Sequence, residues 1–313
     1  MSELSIREQS RLAIIGAGHV GATAAYALML RALVREIVLI DSDTALAEAE
    51  AADLADANAL ARPAHIWAGT YADAATAAIA VITAGAATHG DESRLSVASR
   101  SAVIVDQCTA DLIAAGFNGI LVIAANPVDL MTIVAQRRAQ FAYGRVLGTG
   151  TLLDTNRLRQ ALAALLDVAP SSVECMVLGE HGDSEVAAFS TVRVGGLGLD
   201  LFANGENQIN RQAVAADVRD AAYKIVSGKG YTSFGVATAI VRICEAILRD
   251  ERAVLPVSTL LTGQFGIDGV CLSLPCILGA GGVERVIEPS LDEQEVAGLQ
   301  TSAKVLRAAL ESI

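Results

Sequence analysis

A chain of 313 residues is long enough to bury the cores of two domains without disulfides or metals. Its 53% hydrophobic fraction with only 4% aromatic residues describes interiors built from Ala, Val, Leu and Ile, and excludes a low-complexity or disordered chain. A formal net charge of −12, with no local cluster of Lys and Arg to reverse it, excludes a phosphate backbone as partner, so no nucleic acid is expected.

Residues 1–9 are polar and carry both charge signs, unlike the basic start and apolar middle of a secretory signal. Uncharged stretches such as 74–90 are too short for a membrane span, so no membrane contact and a cytoplasmic location are expected. Short β-branched runs at 12–15, 37–40, 65–67, 79–83, 120–124 and 145–147 then alternate with Ala-rich stretches at 20–34, 45–57, 94–115 and 128–136. This rhythm predicts an α/β fold, a Rossmann doubly wound parallel sheet over 1–150. After residue 150 it changes to a helix at 154–166, a strand at 175–178, helices at 210–226 and 236–249, and then β-rich segments. That predicts a C-terminal α+β substrate domain over 151–313. Ser290 and Glu293, after Pro289, are expected to cap the closing helix as a capping box.

Ligands of doubly wound sheets bind beyond the carboxyl ends of the strands, so the loops there matter most. Gly16-Ala17-Gly18-His19-Val20-Gly21 follows the first strand and opens a helix. Glycines at Gly16, Gly18 and Gly21 permit a tight turn and close approach of a pyrophosphate to the backbone. The second strand ends at Asp41, 25 residues beyond Gly16, near the offset of a carboxylate that binds the adenine ribose. Ser42 and Asp43 add no cation for a 2'-phosphate, so NAD is preferred over NADP.

Leu178-Gly179-Glu180-His181-Gly182-Asp183-Ser184-Glu185 sets one imidazole among acidic residues, which raise a histidine's proton affinity. From that motif alone His181 reads equally as a proton shuttle or a structural histidine. Within Gly148-Thr149-Gly150-Thr151-Leu152-Leu153-Asp154-Thr155-Asn156-Arg157, the positions of Asp154 and Arg157 place them on one face of a first helical turn. There a carboxylate can orient an imidazole while a guanidinium grips a substrate carboxylate, or the two can form a plain surface ion pair. The four histidines and five cysteines show no metal-ligand spacing, so no metal and reduced, buried thiols are expected.

Taken in order, GAGHVG, NPVDLMT, GTGTLLDTNR, LGEHGDSE and GKGYTSFG resemble the L-lactate and L-2-hydroxyisocaproate dehydrogenase family, part of the lactate/malate dehydrogenase superfamily. The resemblance runs from Arg11 into the C-terminal helix. It implies an NAD-dependent L-2-hydroxy acid dehydrogenase that interconverts lactate, or a larger apolar homologue, with its 2-oxo acid. It further implies His181 as general acid/base, Asp154 as its partner, and Arg157 on the substrate carboxylate. Val20, Gly85, Ala86 and Asn126 would join the cofactor-binding set, Asn126 would contact nicotinamide and substrate, Thr88 and Thr232 would line the pocket, and Arg94 would ride on a loop that closes over the site. Such closure excludes water and brings a cation to the carbonyl oxygen where charge develops.

Departures from the family pattern bear on the substrate. Thr88 stands where lactate dehydrogenases usually carry Gln and malate dehydrogenases Arg, which disfavours a second substrate carboxylate unless His89 turns in protonated. Gly235 and Val236 are smaller than the usual Ala and Ile, so a wider pocket accepting larger apolar 2-oxo acids is expected. Arg159 and Glu174 fall where some bacterial relatives bind fructose 1,6-bisphosphate, and a carboxylate there predicts no activation by it. Apolar helix faces at 20–34 and 236–248 suggest a homotetramer or homodimer. A hydroxyisocaproate enzyme, a malate enzyme and a non-catalytic NAD sensor remain alternatives, the last of which has no need of His181, Asp154, Arg157 and Arg94 together.

Overall fold

The computed structural model describes residues 11–61, 64–86, 94–203 and 209–313. The N-terminal half alternates β1 (Arg11–Ile15), α1 (His19–Arg31), β2 (Glu36–Ile40), α2 (Thr44–Asn58), β3 (His65–Ala68), the one-turn α3 (Tyr71–Ala74), β4 (Ile79–Ile82), α4 (Arg94–Ala114), β5 (Ile120–Ile123), α5 (Val128–Ala139) and β6 (Val146–Gly148). These six strands are parallel in the order β3-β2-β1-β4-β5-β6. Because helices cover both faces, successive side chains of one strand enter two different cores: Leu12 and Ile14 of β1 join one cluster, and Ala13 and Ile15 the other. The chain reverses direction across the sheet between β1 and β4, which opens a crevice at their carboxyl ends.

The second half begins with α6 (Leu152–Leu166) and the short strands β7 (Val173–Glu174), β8 (Val177–Leu178), β9 (Val186–Ala187), β10 (Arg193–Val194) and β11 (Leu197–Gly198). It continues through α7 (Leu199–Ala203), α8 (Arg211–Lys229), α9 (Phe234–Leu248), β12 (Ala253–Thr262), β13 (Asp268–Gly279), β14 (Gly282–Val286) and α10 (Glu293–Leu310). The long hairpin β12–β13 and β14 lie antiparallel beyond β6, so one nine-stranded sheet crosses residue 150. A third apolar cluster, built on Leu158, Leu162 and Val177, fills the space under α6 and α8.

Two local expectations are corrected. The strand expected at 175–178 is confined to Val177–Leu178, which pairs with β9, and a separate strand, Val173–Glu174, precedes it and pairs with β10. The capping box of the last helix is formed by Asp292 and Glu295, not by Ser290 and Glu293. Asp292 Oδ1 accepts from Glu295 N at 2.8 Å and Glu295 Oε2 from Asp292 N at 3.0 Å. The carbonyl of Ser290 is held instead by the hydroxyl of Ser190, and Glu295 also accepts from Ser190 N.

α1 packs on α9, where the buried carboxylate of Glu245 meets Arg31, Arg249 and Arg242. All five cysteines are buried and free, and burial pushes the thiols of Cys244 and Cys276 up to about 12. Among the described residues no helix is long and apolar enough to cross a membrane.

Candidate active site

The crevice is bounded first by the glycine turn. Gly16 has φ +107°, a backbone that favours glycine, and its N–H donates to the Ile40 carbonyl at 2.7 Å. A β-carbon on Gly21 would stand 1.9 Å from the Gly16 carbonyl oxygen, so α1 can approach the turn this closely only without a side chain. At Gly18 the same construction meets nothing within 4 Å: that flank of the turn is open. No side chain caps the N-terminus of α1, so its first N–H groups remain available to an anion. Asp41 Oδ2 accepts from Ala17 N at 2.6 Å and Oδ1 from Asp43 N at 2.9 Å, which fixes the carboxylate beside the turn. A dinucleotide fits these features: an open backbone cradle for its pyrophosphate and an acidic group for its ribose. After β4, Ala86 N donates to the buried hydroxyl of Ser101 at 3.1 Å, a contact that sequence reasoning missed, and Gly85 packs over the same group.

The chemical end is built from three segments. α6 begins at Leu152, which sets Asp154 and Arg157 on one face of its first turn, and Arg157 Nη1 donates to Asp154 Oδ1 at 2.7 Å. His181 follows β8 through Gly179, whose φ of +88° turns the chain, and its Nδ1 lies 2.5 Å from Asp154 Oδ2. Asp154 therefore bridges guanidinium and imidazole through its two oxygens, and it is buried. The loop is fastened from the far end of the chain: Ser302 Oγ, on α10, accepts from Glu180 N and donates to the Ser184 carbonyl, both at 2.9 Å.

Electrostatics follow from this packing. Burial works to raise the Asp154 pKa, but the charges and hydrogen bonds of His181 and Arg157 hold it below the ordinary carboxylate value. Burial of His181 disfavours its charged form, yet Asp154, by charge and hydrogen bond, and then Asp129 and Glu185 overcome this and raise it to about 9. Glu185 is pushed up to about 8 by burial first and the Asp154 charge second, and its buried Oε1 has no hydrogen-bond partner among the described residues.

A cavity of about 660 Å³ is lined by Asn126, Arg157, His181, Glu185, Arg219 and Tyr223, among others. A smaller one of about 100 Å³ brings Val20, Thr232 and Val236 to the same Asn126, Arg157 and His181. Candidates from both halves of the chain thus converge. Thr88 lies outside the described residues; Arg94 opens α4, and only its backbone is described. At Gly235 the room that a β-carbon would take is filled by Leu153, whose Cδ1 lies 2.9 Å from that position, so any space the glycine gives the pocket comes through the retreat of this leucine. The sequence reading also missed Glu185, although it closes the LGEHGDSE segment, and Arg219 of α8, which no motif marks. A stack of His19 on Tyr231, with ring centroids 3.8 Å apart, ties the glycine turn to the loop that carries Thr232.

Comparison with known proteins agrees with this geometry over the whole chain. Residues 10–148 match the family model for the lactate/malate dehydrogenase NAD binding domain, and residues 151–313 that for the lactate/malate dehydrogenase alpha/beta C-terminal domain. The L-lactate dehydrogenase of Thermus aquaticus is 41% identical over 307 residues, covering 97% of this chain and 99% of that protein. The minor L-lactate dehydrogenase of Enterococcus mundtii, in its ligands-bound crystal form, superposes with a TM-score of 0.95 at 37% identity, over 98% of this chain and 99% of that one. Its ligands-unbound form gives 0.88 at 35% identity, over 97% of each chain. With a dinucleotide turn, a bridged Arg–Asp–His set and both family domains in register along its length, this chain belongs to the lactate/malate dehydrogenase family of NAD-dependent oxidoreductases.

Proposed function

We propose that the protein is an L-2-hydroxy acid dehydrogenase of the L-lactate type, acting on lactate and apolar homologues. The observation that carries this reading is the Arg157–Asp154–His181 chain, which aims a guanidinium and an imidazole into one cavity from a shared buried carboxylate. Bound NAD supplies the hydride acceptor at its nicotinamide ring. Gly16, Gly18, Val20, Gly21 and Asp41 would hold it, with Gly85, Ala86 and Asn126 along the crevice. Asp154 occupies Nδ1 of His181, which leaves Nε2 to exchange the proton of the substrate oxygen. A pKa of about 9 keeps the free imidazole charged at neutral pH, ready to donate to a 2-oxo acid. Arg157 spends one N–H group on Asp154 and keeps others for a paired hydrogen bond to the substrate carboxylate. Thr232 and Thr88 would shape the side-chain pocket, and Arg94 would polarise the carbonyl oxygen. A homodimer or homotetramer, cytoplasmic, without activation by fructose 1,6-bisphosphate, completes the proposal.

A second reading, a dicarboxylate substrate, is favoured by Arg219, a further guanidinium in the main cavity. One experiment decides: NADH oxidation across pyruvate, 2-oxobutyrate, phenylpyruvate, 2-oxoisocaproate and oxaloacetate. The expected kcat/KM ranking puts the apolar acids above oxaloacetate. Oxaloacetate at the head refutes the L-lactate reading, and 2-oxoisocaproate far below pyruvate refutes the broad apolar pocket.

A further inference from the structure

Asp129 lies in the first turn of α5, three residues beyond Asn126, and is 2% exposed. Its Oδ2 accepts from His181 N at 2.8 Å and its Oδ1 from Ser258 Oγ at 2.6 Å. Both donors are neutral. A buried carboxylate without a bonded cation is costly, and an amide could satisfy the same two partners at lower cost, so stability does not account for the charge.

Its placement does. The turn that carries Asn126 into the cavity also grips the backbone of His181, while Asp154 of α6 grips the ring from the other side. Two carboxylates from two helices thereby hold one histidine. We propose that Asp129 is a positioning residue, fixing His181 relative to Asn126 and helping to keep the proton on its imidazole. This rests on the dehydrogenase reading above.

The charged groups around it are few. His181 lowers and Glu180 raises its proton affinity, and the Cys271 thiol is pushed up by burial first and the charge of Asp129 second, against the pull of Arg137. Burial lifts Asp129 to about 6, against the opposing pull of the Ser258 and His181 hydrogen bonds, and its charge is one of those that raise His181. Between these two values Asp129 is charged and His181 protonated. Below about 6, Asp129 takes a proton and its support of the imidazolium is lost.

The test uses the full-length enzyme. The His181 imidazole is titrated by NMR, and kcat and KM for NADH and pyruvate are followed against pH in wild type, Asp129→Asn, Asp129→Ala and Ser258→Ala. Asp129→Asn keeps an oxygen for His181 N–H and loses the charge. Its His181 titration is expected to move down by about half a pH unit or more, with pyruvate reduction falling at alkaline pH and the KM for NADH unchanged. Asp129→Ala, which loses the anchor, is expected to lower kcat by about tenfold at every pH, with Asp129→Asn restoring it near neutrality. A wild-type titration and pH profile in Asp129→Asn overturns the inference. If neither variant folds, Ser258→Ala is expected to raise the Asp129 pKa and to shift upward the acid-side inflection that Asp129 leaves in the His181 NMR signals, and an unmoved inflection overturns it equally. A wild type inactive on every 2-oxo acid sinks the functional reading instead, while the His181 titration still reads the Asp129 charge.

Discussion

Leu153 occupies the room that Gly235 leaves and also lines the smaller cavity with Thr232 and Val236. A methyl group at Gly235 therefore pushes a flexible leucine towards the substrate side chain. Gly235→Ala is expected to lower kcat/KM for 2-oxoisocaproate and phenylpyruvate by about 5- to 100-fold, as one misplaced methylene does, and to spare pyruvate. An equal loss on all three substrates would show that Leu153 does not face the pocket. At this scale the sequence is legible where chemistry and position coincide: His181, Asp154 and Arg157 stand in the motifs that point to them, and they meet as those motifs imply. Asp129 was illegible because its partners lie 52 and 129 residues away, and nothing local distinguishes its carboxylate from a solvated one. Gly235 was legible only in part, because a small residue tells how much space its neighbour has, not which neighbour takes it.

Among the elements, the junction of β1 and α1 depends on the bare backbone of Gly21, whose β-carbon would stand 1.9 Å from the Gly16 carbonyl. Relieving that clash means moving the helix N-terminus away from the turn. Gly21→Ala is therefore expected to weaken NADH binding, read by fluorescence titration, by about tenfold or more with the helical circular dichroism retained. Unchanged affinity would mean that α1 can slide without harm. The parallel strands were readable because burial on both faces demands continuous β-branched runs such as Ile79–Ile82. The joining of β12 to β6 was not, because it rests on the single register pair Ser258 and Gly148, far apart in sequence and without any turn signal between them. The capping box slipped for a related reason: Ser290 has the right chemistry, but its carbonyl is claimed by Ser190, and the helix starts after it.

For the whole molecule, three buried titratable groups of the cavity make stability fall as pH rises. His181 is raised from 6.5 to about 9, so its stabilisation is complete below 6.5 and lost as pH climbs through 9. Glu185, raised from 4.5 to about 8, and Asp129, raised from 3.8 to about 6, favour their protonated forms in the fold and lose stability over those windows as pH rises. Asp154 acts oppositely, with its contribution lost only as pH falls below the ordinary carboxylate range. The thermal midpoint is thus expected to fall by a few degrees between about pH 6 and 9, followed by calorimetry in the absence of ligands. A flat or rising midpoint would contradict the assigned charges.

The clasp of Ser302 on the His181 loop adds an order in time. During synthesis the glycine turn and the parallel sheet emerge first and can assemble a nucleotide cradle while the rest is still being translated. The loop between Glu180 and Ser184, held at His181 by Asp129 and Asp154, gains its further fastening by Ser302 only when α10 has left the ribosome and docked. A nascent chain could thus hold cofactor before α10 docks and completes the fastening of the catalytic loop.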